Sequence, residues 1–314
     1  MAFLQDRLSF NASYYRNRTS NQLINFTISA QAGFTGYQAN LPATVQNSGW
    51  ELSVSSTNIR GKDLSWTTSF NISQNKNKLL SFQDIEKSSY YATYIVGNPI
   101  SSYYLYQYTG IDPATNLPTF TNFDGAGLPG SPTGGFAATG RGDRYYAGTS
   151  YPKFFGGITN SVSYKRLVLD FTFQFVKQQG RSLLTSSFYP PGFFSNAALS
   201  VVNDYLALGS HDYLVTAGTR GAAGSAGYLA YSNYTVSDAS LVDASFIRLK
   251  NVSLSYTLPG KWISRKPDNA PGIRVYVQGQ NLFTITNYDG FDPESQGVST
   301  PPLRTIVAGL QFTF

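Results

Sequence analysis

Eight windows of the chain alternate apolar and polar residues with a period of two, the signature of strands with one greasy and one wettable face. From Leu167 to Gln178 the odd positions are Leu167, Leu169, Phe171, Phe173 and Phe175, against Asp170, Thr172 and Gln174. From Leu64 to Gln74 the even positions are Leu64, Trp66, Thr68, Phe70 and Ile72, against Ser65, Thr67, Ser69, Asn71 and Ser73. The final window sets Ile306, Ala308, Leu310, Phe312 and Phe314 against Thr305, Gly309, Gln311 and Thr313. Weaker alternation runs over Leu8–Arg18, Trp50–Asn58, Phe154–Tyr164, Ser245–Leu258 and Ile273–Phe283. In Ser245–Leu258 the apolar set Val252, Leu254, Tyr256 and Leu258 shares its parity with Arg248 and Lys250, which demands a bulge or a position at the edge of the apolar band.

The spacing between windows suggests an architecture. Arg60–Asp63 and Tyr164–Arg166 are tight reversals, and Pro259–Pro271 is of moderate length. The segments 19–48, 75–153, 179–244 and 283–302 are long. Long loops count against a compact soluble domain, whereas short turns at one end and long loops at the other are the habit of outer-membrane barrels. A soluble β-sandwich also alternates, with both sheets hiding one face in a shared core. Three features favour the barrel. The windows run to about ten residues, the number a strand tilted by about 40° needs to cross a 25 Å apolar band. Their polar faces hold Ser, Thr, Asn and Gln with few charges, as a wet lumen would. The last residue, Phe314, closes an alternating aromatic strand, so that Phe312 and Phe314 have the form of a C-terminal signal for barrel assembly. The expected fold is all-β: an antiparallel transmembrane β-barrel segment of about eight strands with long extracellular loops.

Composition narrows the chemistry. The 314 residues are 13% charged and 15% aromatic, with 23 Tyr, 22 Phe, one His and no Cys. Globular proteins carry about 25% charged residues, so something besides charge must match this surface to its surroundings. Without cysteine there are no disulfides, thiolate nucleophiles or Cys-bound metals. The net charge is +6, but Lys and Arg are scattered without a basic run, so no nucleic-acid partner is expected. No stretch reaches the ~18 apolar residues of a membrane helix, so any bilayer crossing must use strands. Met1–Arg7 lacks the basic and apolar regions of a secretory signal.

Six ordered stretches carry a family resemblance. They are NSGWELSVSS (47–56), LSWTTSFNISQNKNKL (64–79), VGNPISSYYLYQYTGIDPATNLPTF (96–120), YPKFFGGITNSVSYKRLVLDFTFQF (151–175), ASFIRLKNVSLSYTLP (244–259) and VYVQGQNLFTITNYDGFDPES (275–295). The chain resembles the C-terminal half of SusC/RagA-type TonB-linked outer-membrane transporters. The resemblance implies a 22-stranded barrel, plugged by an N-terminal domain, that imports oligosaccharides or peptides for nutrient uptake. It also implies a SusD-like lipoprotein at the extracellular mouth, contact with TonB through the plug, and insertion into the Gram-negative outer membrane by the barrel-assembly machinery. Roughly eight strands are represented here, so residues 1–314 are read as the C-terminal part of such a barrel, a fragment or truncated product without signal peptide or plug. The competing function is a soluble or surface glycan-binding adhesin built as a β-sandwich.

Candidate sites follow from these readings. If the C-terminus lies in the periplasm, the four long segments face outward, and their aromatics Tyr103, Tyr104, Tyr145 and Tyr146 are candidates for stacking on substrate. The same rings would also serve an interfacial girdle or loop packing. Asp170, Arg274 and Gln278 fall on lumen-facing parity. Asp289, Asp292 and Glu294 offer oxygen ligands for Ca²⁺ but lack a full ligand loop, which leaves turn formation as their default role. Arg141-Gly142-Asp143 matches an adhesion tripeptide of a kind that arises easily by chance. His211-Asp212 has no serine partner in a nucleophile elbow, and Asn233-Tyr234-Thr235 fits a glycosylation acceptor that has no meaning in a bacterium. No catalytic pair, metal cluster or cofactor is expected.

Overall fold

A computed structural model describes residues 2–27, 31, 33, 36–115, 117–126, 131–183, 196, 199, 203, 226–260 and 272–313. In chain order the strands are β1 (Ala2–Phe3), β2 (Leu8–Ser20), β3 (Leu23–Thr27), β4 (Gly36–Asn40), β5 (Ala43–Arg60), β6 (Leu64–Phe82), β7 (Ser102–Tyr106), β8 (Tyr108–Ile111), β9 (Pro118–Phe120), β10 (Arg144–Thr149), β11 (Phe154–Tyr164), β12 (Leu167–Lys177), β13 (Gln179–Arg181), β14 (Leu241–Asp243), β15 (Phe246–Thr257), β16 (Gly272–Thr286) and β17 (Thr305–Thr313). One sheet holds nine of them in the order β1-β2-β5-β6-β11-β12-β15-β16-β17, all antiparallel. Its eight long strands coincide with the eight alternating windows. The other described strands form two-stranded ribbons, β7 with β10, β13 with β14, β3 with β4 and β8 with β9.

The register explains the alternation. Leu64, Tyr164, Leu167 and Tyr256 lie in one lateral row, and Trp66, Val162, Leu169 and Leu254 in the next. Phe70, Ile158, Phe173, Leu249 and Phe283 form a third. Because successive side chains point to opposite faces, matching rows put the apolar set of every strand on one face. The aromatics there touch sideways: Phe70 and Phe175 stack with centroids 5.9 Å apart, and Phe173 meets Phe283 at 6.1 Å. Gly156 lies beneath the Phe175 ring, where a Cβ would sit 2.6 Å from its Cζ. This face is open: Trp66, Leu254, Val277, Phe283, Leu310 and Phe312 are all exposed in the isolated chain. A sandwich would bury these side chains against a second sheet, so the sandwich alternative is not the fold of this chain.

Two differences from the sequence expectation have clear causes. β5 and β6 are 18 and 19 residues long, nearly twice the apolar window in each. Their extensions carry polar pairs such as Asn47 opposite Asn77 and Ser48 opposite Lys76; a hydrogen-bonded ladder continues past the band where apolarity stops. The second difference concerns Arg248. The pairing shifts between Leu249 and Asn251, so Lys250 is an extra residue relative to β12, while two residues of β16, Asn281 (φ 51°) and Leu282, stand opposite it. The bulge moves Leu249 and Ile247 onto the apolar face and turns Arg248 to the polar one.

Candidate functional site

The polar face and the ribbons at the long-loop end form the chemically equipped part of the molecule. Asp170 lies opposite Ser253, and Ser253 opposite Gln278, so two of the expected lumen residues share a row one strand apart. Arg274 stands lower on the same face and donates from its guanidinium to Ser255 Oγ at 2.8 Å. Phe312 lies in the outward apolar row of β17, opposite Ile273; its companion Phe314, like His211 and Asp212, lies outside the described residues.

The β7–β10 ribbon brings the four tyrosines together. Tyr146 pairs with Tyr104, Tyr145 with Leu105, and a register shift places Gly148 opposite Tyr103. Tyr104 packs on Phe136 at 4.4 Å between centroids, meets the edge of Tyr146 at 6.2 Å, and accepts a hydrogen bond from Asn98 Nδ2 at 2.9 Å. Tyr145 donates its hydroxyl to Asp238 Oδ2 at 2.8 Å, while Asp238 Oδ1 accepts the Tyr108 N–H at 2.9 Å. Burial, reinforced by this bond to a carboxylate, pushes the Tyr145 phenol up to about 12. Tyr103 is also pushed up by burial, with Arg181 opposing. Tyr104 and Tyr145 therefore hold loops together, whereas Tyr146, though edge-on to Tyr104, is 42% exposed and presents part of its ring.

Beside the ribbon, the loop after β6 and the Gly134–Arg141 turn enclose a groove of about 710 Å³, walled by Tyr91, Tyr94, Val96 and Phe136, with Glu86 and Arg141 supplying opposite charges. Tyr90 stacks on Tyr94 at 5.8 Å and tilts against Phe82, which anchors this wall to the top of β6. Gly135 has φ 100°, and a Cβ there would strike the Arg141 carbonyl, so the turn that forms the other wall requires glycine.

Four acidic residues, Asp143 and the three of the 289–294 segment, have internal partners. Asp143 is fully buried and accepts the N–H groups of Phe123 (2.5 Å), Asp124 (3.3 Å) and Thr133 (2.8 Å). An adhesion tripeptide must present its carboxylate; this one is turned inward and pins the Gly-rich loop, so that reading fails. In the 289–294 segment, Asp289 accepts the Ser182 hydroxyl and the Leu183 N–H at 3.1 Å. Asp292 Oδ1 accepts the N–H groups of Glu294 (2.9 Å) and Ser295 (3.2 Å), and its Oδ2 pairs with Arg248. Arg248 also reaches Glu294 at 2.8 Å and Thr284 Oγ1 at 2.9 Å, and is buried. Turn and latch chemistry thus occupies these carboxylates. Gln178 adds a buried bond to the Pro293 carbonyl at 2.6 Å. The latch role of Arg248 was hidden in the sequence, although its misfit with the apolar parity was the available signal. Asp143 carried no such signal.

Against known proteins, no family model matches the chain. It is 27% identical over its whole length to TonB-dependent receptor P3 of Formosa agariphila and covers 33% of that protein. To the TonB-dependent receptor SusC of Bacteroides thetaiotaomicron it is 27% identical over 99% of its length, covering 31% of that protein. The structure of the RagAB peptide transporter matches all of the chain with a TM-score of 0.73 at 25% identity, over 34% of the solved chain. The chain thus spans about a third of the length of the relatives it matches. Its likeness extends through sequence and fold alike, to proteins named as TonB-dependent receptors and, for the solved structure, as a peptide transporter.

Proposed function

We propose that residues 1–314 form the C-terminal wall of a 22-stranded TonB-dependent importer in the outer membrane, and contribute lumen lining and extracellular loops to the uptake of peptides or oligosaccharides. The observation that carries this reading is the single nine-stranded sheet with its apolar side chains left open on one face, a surface that lipid tails cover at no cost and water covers badly. The likeness to receptors that include SusC and RagAB supports it.

In this reading the groove walled by Tyr91, Tyr94 and Phe136 makes first contact with substrate, together with Tyr146 and Tyr103, while Tyr104 and Tyr145 fix the ribbon that presents them. An aromatic wall with one carboxylate and one guanidinium suits a peptide, whose ends and side chains carry both charges; stacked rings also suit sugars. Asp170, Arg274 and Gln278 line the route inward. A SusD-like lipoprotein closes the mouth, TonB acts through a plug, and the barrel-assembly machinery inserts the protein, with Phe312 and Phe314 as the signal. The chain works by binding and passage, without chemistry of its own.

The test is to express residues 1–314 within a complete receptor chain of this class in a Gram-negative host, fractionate the membranes, and measure accumulation of a fluorescent oligopeptide and of a labelled oligosaccharide. We expect a heat-modifiable outer-membrane species that accumulates one of the two, and at least a fivefold loss in the double variant Tyr91→Ala/Tyr146→Ala. Recovery as a soluble protein, or uptake of neither probe, would refute the proposal.

A further inference from the structure

On β2, β5 and β6 the outward face changes character sharply above the apolar band. Tyr14, Trp50 and Gln74 form its top row, with the Tyr14 and Trp50 rings 4.9 Å apart. In the next row Arg16 lies opposite Ser48 and Ser48 opposite Lys76; in the one after, Arg18 lies opposite Gln46 and Gln46 opposite Lys78. These positions share the parity of Tyr14 and Trp50, so they look outward. The residues between them turn to the other side, where Asn77 and Leu79 are buried and Tyr15 donates to Asn75 Oδ1 at 3.2 Å.

Four cations thus stand on β2 and β6, flanking β5, within a patch about 7 Å tall and 10 Å wide, from the strand rise and spacing. All four are exposed. The ion pairs among the described residues belong to Lys87, Lys177 and Arg248. The contrast with β12 is informative. There the outward cation that follows the apolar residues, Lys177, is matched by Asp243 at 2.7 Å. On β2 and β6 the charges are left for an external anion. Arg18 donates Nε–H to Gln46 Oε1 at 2.8 Å, which orients its guanidinium and leaves the terminal N–H groups for a ligand.

We propose that this patch binds the phosphate-bearing headgroup of a lipid in the outer leaflet. The inference rests on the membrane reading above. Aromatic rings such as Tyr14 and Trp50 settle where acyl chains meet headgroups, and a strand that continues past them enters the layer of phosphates. Arginine matches phosphate bidentately and lysine adds point charge, while Ser48 and Gln46 offer hydrogen bonds between them. The long segments leave this same end of the sheet, which places the patch in the outer leaflet if those segments face outside.

The experiment uses the protein extracted from outer membranes in mild detergent. Native mass spectrometry reads lipid retention, with phosphorylated lipid A, its dephosphorylated form and inorganic phosphate as added probes. The variant is Arg16→Gln/Arg18→Gln/Lys76→Gln/Lys78→Gln; the control, Arg60→Gln/Lys62→Gln, removes two cations at the opposite end. We expect the wild type to retain phosphorylated lipid, at least tenfold weaker retention in the quadruple variant, unchanged retention in the control, and at least tenfold weaker binding of the dephosphorylated lipid and of free phosphate. Equal retention by the quadruple variant, equal binding of the dephosphorylated lipid, or equal loss in the control would overturn the proposal. A heat-modifiable wild-type band in the outer membrane without retained lipid defeats this inference alone; a wild type that never reaches the membrane defeats the parent reading and this one with it.

Discussion

Replacing Phe171 by arginine tests whether the open face meets lipid. Phe171 is the middle of the five outward apolar residues of β12, between Leu167 and Phe175. Those five span eight residue steps, about 26 Å along the strand and about 20 Å along the membrane normal at a tilt of about 40°. Phe171 therefore stands about 10 Å from either boundary, too deep for a guanidinium to reach water without distorting the bilayer. An arginine at such a depth costs about 2–4 kcal/mol, a factor of roughly 30 to 1000 in the folding equilibrium. Thr172 is the internal control: the next residue on the same strand, pointing to the polar face, where arginine keeps its water. Guanidinium unfolding in phospholipid vesicles should separate Phe171→Arg from Thr172→Arg by at least 2 kcal/mol, and outer-membrane assembly should fall in the first variant alone. Equal stabilities within about 0.5 kcal/mol, or a water-soluble, folded Phe171→Arg protein, would refute the argument that this face is lipid-exposed.

Other outcomes follow from particular contacts. Arg248→Met leaves buried Asp292 without its cation, which should cost about 3–5 kcal/mol and release the 287–296 segment to limited proteolysis; adding Asp292→Asn should restore part of the protection. Gly156→Ala drives a methyl into the Asn71 carbonyl and the Phe175 ring, and should destabilise the β6–β11–β12 region by about 1–3 kcal/mol in the same unfolding assay. Tyr145 should ionise near 12 in a 295 nm titration of the folded protein. Because its phenol ionises at a lower pH when unfolded, its contribution to stability is complete below about 10 and declines as the pH rises toward 12; Tyr145→Phe should remove that part of the pH dependence.

How much of this was legible beforehand depended on the range of the interaction responsible. Alternation is a local property, so the residues of β6, β12 and β17 could be sorted into two faces without knowing any neighbour. The extra length of β5 and β6 was not legible, since polar pairs such as Asn47 with Asn77, whose Nδ2 donates to Asn47 Oδ1 at 2.8 Å, leave no hydrophobic trace. The four tyrosines of β7 and β10 could be named as a group, but their division into loop anchors and more exposed rings depends on contacts such as Tyr145 with Asp238 and Tyr104 with Phe136, distant in sequence. The pairing of Arg248 with Asp292 needed a bulge that shifts parity in mid-strand. In Asp143 the obstacle was of a different kind: an exposed and a buried carboxylate look alike in a Gly-rich stretch.

The sequence by itself determined that this chain builds long, two-faced antiparallel strands, because side-chain parity along a strand is set by covalent geometry and needs no partner. Only the tertiary structure decided that the greasy faces join into one open surface, and that Arg16, Arg18, Lys76 and Lys78 meet above it. Which residues stand side by side is set by register between strands, and register is a property of the paired backbones.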